Sequence, residues 1–287
     1  MLAVDLDGTL LGPNGIDPVD LASLHDASDA GVEVVVATGR SWIESKRALQ
    51  QIDVPGVTVA AGGALLHDTQ SGVTLDRFVV EEDVIQSIAA PLLADGHVVH
   101  MLQDHHGAGF DYWMVGTGDV DAATEWWMGE HSLTVQWVET MDDVDHFTDT
   151  VRVGTVGASS QLAHRATELS AMLGDRVNLQ HWAAVVESEV TGKTTHLFEA
   201  FHPHVDKWTM LERLMKERKI EAHQVAAIGD GLNDVGMLRG AGLGIAMEGA
   251  LPNVHAAANS TTGPLGGGGV AQAVKVMLES VTGRVDS

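Results

Sequence analysis

The residues best suited to chemistry stand at the ends of apolar runs. In "DLDGTL" two aspartates, Asp5 and Asp7, sit one residue apart just as the run over residues 2–6 gives out. Carboxylates this close oppose each other's ionisation, and a stretch that keeps both has a cation or a reaction to justify them. A strand's period of two puts both on one side and Leu6 on the other. Gly8 allows a sharp turn after them, and Thr9 can cap it. The plain alternative is a strand-to-turn junction with solvated aspartates.

A second run ends in "ATGR", which sets Thr38 and Gly39 ahead of a helix starting near Ser41. A hydroxyl beside free amides at a helix N-terminus suits a phosphate group. Helix capping alone explains the same residues, and Arg40 is open between the site and the surface. "IGDGLNDVGML" repeats the pattern near the other end of the chain. Asp230 and Asp234 are four apart around Asn233, so within a first helical turn both carboxylates can face one point. With Asp5 and Asp7 they make four acids at one edge, a self-repelling set that a hard divalent cation relieves. Mg²⁺ suits few carboxylates together with waters and a substrate phosphate. Lys207, in "HPHVDKWTML", falls in the first turn of a helix, where the dipole disfavours a cation unless it faces an anion. A solvated surface lysine is the alternative there.

The elements that must position these residues follow from periodicity. Residues 2–6 read as a short buried strand, 17–31 as an amphipathic helix closed by glycine, and 32–38 as a second strand. A helix over 41–51 and a strand over 57–63 follow, then a hairpin around Ser71 and Gly72. Strands alternating with helices predict a doubly wound, Rossmann-like parallel sheet, and ligands of such sheets bind at the carboxyl ends of the strands. The rhythm changes over residues 81–186, which hold five of the seven tryptophans: Trp113, Trp126, Trp127, Trp137 and Trp182. It resumes with "HLFEAF", a helix over 206–219, the strand "QVAAIGD", a helix from Asn233, the strand "LGIAM" and a helix after "GPLGGGG". The expected organisation is an α/β core of residues 1–80 and 187–287 with an inserted α/β cap of residues 81–186.

Composition bounds the partners. Forty acidic against 16 basic residues give a net charge of −24, which repels a nucleic-acid backbone and disfavours anionic membrane surfaces. The same acidity fits a salt-adapted surface, and it leaves any phosphate chemistry dependent on a bound cation and a few placed basic groups. No apolar run approaches the roughly 18 residues that span a bilayer, and the start lacks a basic, signal-like segment. A cytoplasmic protein is the expectation. Zero cysteines exclude thiolate metal sites and cysteine nucleophiles.

Taken in order, "DLDGTL", "ATGR", a lysine at a helix start and "GDGLND" resemble the four motifs of the haloacid dehalogenase superfamily. The long insertion between the second and third is similar to that of its Cof-type branch, subclass IIB, and "LGIAMEGALPNV" is like the segment after the fourth motif there. The resemblance spans the chain and implies a Mg²⁺-dependent phosphatase acting on a small phosphorylated metabolite, with sugar phosphates the leading class. It implies that Asp5 is the nucleophile and Asp7 the general acid and base. Thr38, Gly39, Lys207 and Asn233 would hold the phosphoryl group. Mg²⁺ would be bound by the Asp5 and Asp230 carboxylates and the Asp7 carbonyl, with Asp234 supporting the metal or Lys207. Two departures stand out: Gly62 replaces the asparagine common after the third strand, and "GPLGGGG" replaces a more polar segment.

Other motifs compete. "EVTGKTTH" looks like a nucleotide-binding loop but has Glu187 where the first glycine belongs, and its Lys193 is the runner-up for the motif lysine. His202 with His204, and His105 with His106, raise zinc, although 15 histidines make such pairs common. The insert's tryptophans either fill its core or, with Tyr112 and His105, form a wall for a sugar ring. As activities, a phosphomutase would return the phosphoryl group to a sugar, and a binding or regulatory module would keep the fold without turnover. The sequence leaves the oligomeric state open.

Overall fold

A computed structural model describes residues 1–120, 122–157, 160–184 and 195–282. The chain divides into two compact units, Met1–Asp76 with the chain from Asp206 onward, and Arg77–Val205.

The first unit is built on an eight-stranded sheet. Its order is Ser260–Thr261, Leu243–Ala246, Ala226–Gly229, Leu2–Asp5, Val34–Ala37, Gly56–Ala60, Leu65–Asp68 and Thr74–Arg77. The first six run parallel, and Leu65–Asp68 returns antiparallel. The strand Leu2–Asp5 is buried along its whole length, as a central parallel strand covered on both faces must be, which explains its unbroken apolar run. The chain leaves this strand toward Val34–Ala37 on one side and comes back, more than 200 residues later, as Ala226–Gly229 on the other. That is the topological switch point, where the loops at the carboxyl ends diverge and leave a crevice. Val4 pairs with Ile228, which sets Asp5 beside the end of the returning strand and ahead of Asp230.

The helices of this unit start where the sequence places their caps. Asp17 caps Pro18–Asp29 by accepting from the Val19 amide at 2.9 Å, and Ser41 with Glu44 forms a capping box at the head of Trp42–Ile52. Leu24, Ala27, Ala48, Leu49 and Ile52 turn inward onto the sheet together with Val270, Ala273, Val274 and Met277 of Gly269–Thr282.

The second unit has a six-stranded sheet of order Val135–Val138, Tyr112–Val115, Val99–Gln103, Thr150–Gly157, Thr195–Phe201 and Asn178–Ala184. All neighbours are antiparallel except the first pair. The helices Glu82–Ala94 and Ser160–Leu173 pack on it, burying Ile85, Ile88, Leu92, Leu162 and Leu169 against Met101, Val153 and Phe198.

One expectation is corrected here. "HLFEAF" belongs to this second sheet, where Phe198 pairs with Thr155 and His181, so the unit runs to Val205 instead of ending at residue 186. An apolar strand reads the same in either sheet, and its partners decide. The tryptophans also divide. Trp113 is buried in the unit's core, its indole N–H donating to the Asp145 carbonyl at 3.1 Å, while Trp126 and Trp137 are exposed. Lys193 and the loop "EVTGKT" lie outside the described residues. No described helix is long and apolar enough to cross a membrane.

Candidate active site

The loop after the first strand is shaped by Gly8, whose φ of +86° is a left-handed value that a side chain would resist. A Cβ at Gly8 would also stand 2.3 Å from Oδ2 of Asp230, so glycine lets the Asp230 carboxylate lie directly on the loop. Thr9, fully buried, donates its hydroxyl to Asp230 Oδ1 at 2.7 Å. The threonine expected to cap its own turn instead ties the first loop to the loop of the returning strand.

Lys207 is the first residue of the helix Lys207–Arg218, which Asp206 caps by accepting from the Thr209 amide at 2.8 Å. Its Nζ donates to Asp5 Oδ1 at 2.5 Å and to Asp234 Oδ1 at 2.6 Å, with all three side chains buried. The cation that looked misplaced on the helix dipole faces two anions. Close backbone packing helps to hold it there: a Cβ at Gly63 would meet the Asp206 carbonyl oxygen at 2.2 Å. Asp234 Oδ2 accepts from the amides of Asp230, at 3.0 Å, and Gly231, at 2.8 Å. Asp234 therefore uses both oxygens inside the protein, fixing Lys207 with one and the loop with the other.

These contacts set the electrostatics. Burial, followed by Asp234 and Asp230, drives the Asp5 carboxyl up to about 7 against the pull of Lys207. Burial works to lower Lys207, but Asp5 and Asp234 outweigh it and raise its pKa. Asp230 is raised as well, chiefly by burial, with the Thr9 hydrogen bond opposing.

Asp5, Asp230 and Asp234 each offer a carboxylate oxygen within 4.8 Å of the others, the one such group of three or more candidate ligands among the described residues. An all-oxygen donor set of carboxylates fits a hard divalent cation. Neither histidine pair joins a group of that size. His105 Nδ1 lies 2.9 Å from Asp111 Oδ1, and the His202 ring lies against that of Phe78 in a tilted contact, centroids 5.1 Å apart.

Asp7 departs from the expected four-acid cluster. It is not among the three carboxylates whose oxygens lie within 4.8 Å of one another, and its carboxylate receives Arg40 Nε at 2.8 Å and Arg40 Nη2 at 2.5 Å. The two-residue period stops at Asp5, where the strand ends and the turn begins. On the neighbouring loop, buried Thr38 accepts the Arg40 amide on Oγ1 at 3.1 Å, which leaves the hydroxyl proton free to donate. Gly39 and Asn233 also come together, since a Cβ at Gly39 would lie 3.5 Å from Asn233 Nδ2. Gly62, with φ of +67°, has open space around it, and its amide donates to the Thr38 carbonyl at 3.0 Å. The site residues that sequence reasoning missed are Thr9 and Gly63, and it left Arg40 open. The one available signal was an excess of aspartate at the sheet edge, which calls for nearby donors.

A sequence model of the haloacid dehalogenase-like hydrolases matches residues 2–274. The chain is 27% identical over 273 residues to the pyridoxal phosphate phosphatase YbhA of Escherichia coli (strain K12), covering 92% of this chain and 93% of that protein. It is 26% identical over 289 residues to the 5-amino-6-(5-phospho-D-ribitylamino)uracil phosphatase YwtE of Bacillus subtilis (strain 168), covering 96% and 97%. A haloacid dehalogenase-like hydrolase from Bacteroides thetaiotaomicron shares the fold with a TM-score of 0.78 at 21% identity, over 96% of this chain and 98% of that one. The motif order, the architecture and the family match along nearly the whole length lead to one assignment: the chain belongs to the haloacid dehalogenase-like hydrolases, in their Cof-type branch.

Proposed function

We propose that the protein is a Mg²⁺-dependent phosphatase that hydrolyses a small phosphorylated metabolite in the cytoplasm, with sugar phosphates the leading class, through an aspartyl-phosphate on Asp5. The observation that carries this reading is the convergence of Asp5, Asp230, Asp234 and Lys207 at one sheet edge, drawn from chain segments more than 200 residues apart. A buried, crowded set of acids costs stability unless cations offset it, and such perturbed groups gather where chemistry is done.

In the first step an Asp5 oxygen forms a bond to phosphorus as the bond to the leaving alcohol breaks, and Asp7 gives that alcohol its proton. In the second, Asp7 takes a proton from water as its oxygen attacks phosphorus, which frees inorganic phosphate and restores Asp5. Splitting the reaction in this way replaces one difficult displacement by two easier ones. Lys207, the Thr38 hydroxyl, the Gly39 amide and the Asn233 amide would hold the phosphoryl oxygens, and preset donors of this kind supply much of the barrier lowering in phosphoryl transfer. Mg²⁺ would be held by Asp5, Asp230 and the Asp7 carbonyl, and when bound it would offset charge on the carboxylates and the phosphoryl group. Asp234 serves by fixing Lys207 and the loop that carries Asp230.

The relatives named above act on phosphate esters of small metabolites, and this supports the same substrate class here. The test is a panel of such esters assayed with and without Mg²⁺, with products identified. Inorganic phosphate released only with the metal is expected. An isomeric sugar phosphate in its place, or no turnover of any ester, overturns the reading.

A further inference from the structure

Arg40 joins two residues assigned above to different tasks. Its backbone is fixed at both ends, the amide donating to Thr38 Oγ1 at 3.1 Å and the carbonyl accepting the Ala61 amide at 2.7 Å. From that base its guanidinium reaches Asp7 with two hydrogen bonds, Nε to Oδ2 at 2.8 Å and Nη2 to Oδ1 at 2.5 Å. Asp7 lies past the end of its strand with a half-exposed side chain, and Arg40 supplies the hydrogen bonds its carboxylate receives among the described residues.

An ion pair this exposed adds little to stability. What a two-point fork does supply is direction, because it fixes the plane of the carboxylate as well as its distance. We propose that Arg40 is the positioning residue for Asp7, holding its carboxylate in the orientation from which it exchanges protons with the leaving oxygen and then with water. This rests on the phosphatase reading above. One guanidinium bond slips when an Asp7 oxygen carries the proton, and the other keeps the side chain in place. The proton passes from Asp7 to the alcohol as the phosphorus–oxygen bond breaks, and returns to Asp7 from the attacking water. Because the Arg40 amide also holds the Thr38 hydroxyl, one residue sets the spacing between phosphoryl binding and proton transfer.

Two substrates distinguish this role from others. A sugar phosphate has a poor leaving alcohol that needs a proton, whereas an aryl phosphate with a nitrophenol leaving group departs without one. Arg40→Met keeps the aliphatic stem and removes the fork. It is expected to lower kcat/KM for the sugar phosphate by about 10–100-fold and for the aryl phosphate by less than about threefold, with KM unchanged for both. Arg40→Lys is expected to recover part of the loss. In an Asp7→Asn background the same Arg40→Met change should cost nothing further on the sugar phosphate, since residues acting through one another are not additive. Equal losses on both esters with raised KM would make Arg40 a phosphoryl ligand and overturn the inference. Unchanged sugar phosphate turnover, or full additivity with Asp7→Asn, overturns it as well. If the wild-type protein hydrolyses neither ester, the phosphatase reading falls first and takes this inference with it.

Discussion

Lys207 Nζ donates to Asp5 Oδ1 at 2.5 Å across 202 residues of chain, and neither side chain meets solvent appreciably. A lysine in that position neutralises charge that the fold gathers from both ends of the sequence, since the same amine also holds Asp234.

Removing that amine should be costly in two ways. Lys207→Met leaves the carboxylates of Asp5 and Asp234 buried beside each other without their cation, a loss of about 3–5 kcal/mol for a broken buried pair. Turnover should fall by about 10²–10³-fold as one preset donor to the phosphoryl group is lost. Thermal unfolding and steady-state rates on the same preparation check both. A variant as stable and as active as the parent would contradict the role given to Lys207.

Stability should also depend on pH in a way that Mg²⁺ alters. Asp5, pushed up chiefly by burial to about 7 from 3.8, is a carboxyl whose folded pKa exceeds its unfolded one. Such a group adds stability that is fully present below the unfolded pKa and is lost as pH climbs through the folded pKa. Asp230 shifts the same way, while Lys207, raised by its two anions, keeps its charge throughout that range. In a chelator the Tm should therefore fall between about pH 4 and pH 7, the interval between the unfolded and folded values of Asp5. A cation held by these carboxylates favours their ionised form, so the gain in Tm on adding Mg²⁺ should grow with pH and shrink in Asp230→Asn. A Mg²⁺ shift that is flat with pH, or intact in that variant, would contradict the assignment of the acidic cluster.

Salt should stabilise this protein. The 40 acidic and 16 basic residues leave a charge of −24, and self-repulsion of that size acts against the compact state. Raising ionic strength from 0.1 to 1 M shortens the screening length from about 10 Å to about 3 Å. Exposed ion pairs such as Arg176 with Asp83 weaken at the same time, but pairs this open to solvent contribute little to begin with. Relief of repulsion should dominate, and the Tm in NaCl or KCl should rise by several degrees. A falling Tm would show that the ion pairs matter more.

The chain's order of elements was legible because period and caps are local. The strand expected over residues 2–6 formed as Leu2–Asp5, and the helices expected over 17–31 and 41–51 formed as Pro18–Asp29 and Trp42–Ile52 behind Asp17 and Ser41. The acids were legible too, since Asp5 and Asp230 each follow an apolar run. Partners across the sheet were not. Nothing local in "HLFEAF" tells which sheet it joins, and the pairing of Phe198 with Thr155 and His181 decides it. The direction of the Asp7 side chain was not legible for a related reason: strand periodicity was carried two residues past the strand's end at Asp5, where the turn at Gly8 and the reach of Arg40 set it. Contacts between residues far apart in sequence, such as Thr9 with Asp230, leave no trace in spacing.

The most direct measurement is phosphate release by Asp5→Asn beside the parent protein, with Mg²⁺ and the best ester found. The substitution keeps the shape of the side chain and removes the oxygen that attacks phosphorus. Release should drop by at least about a thousandfold while the protein stays folded. Full turnover by the Asp5→Asn protein would mean that phosphorus is attacked by some other group, and the reaction described here would be wrong.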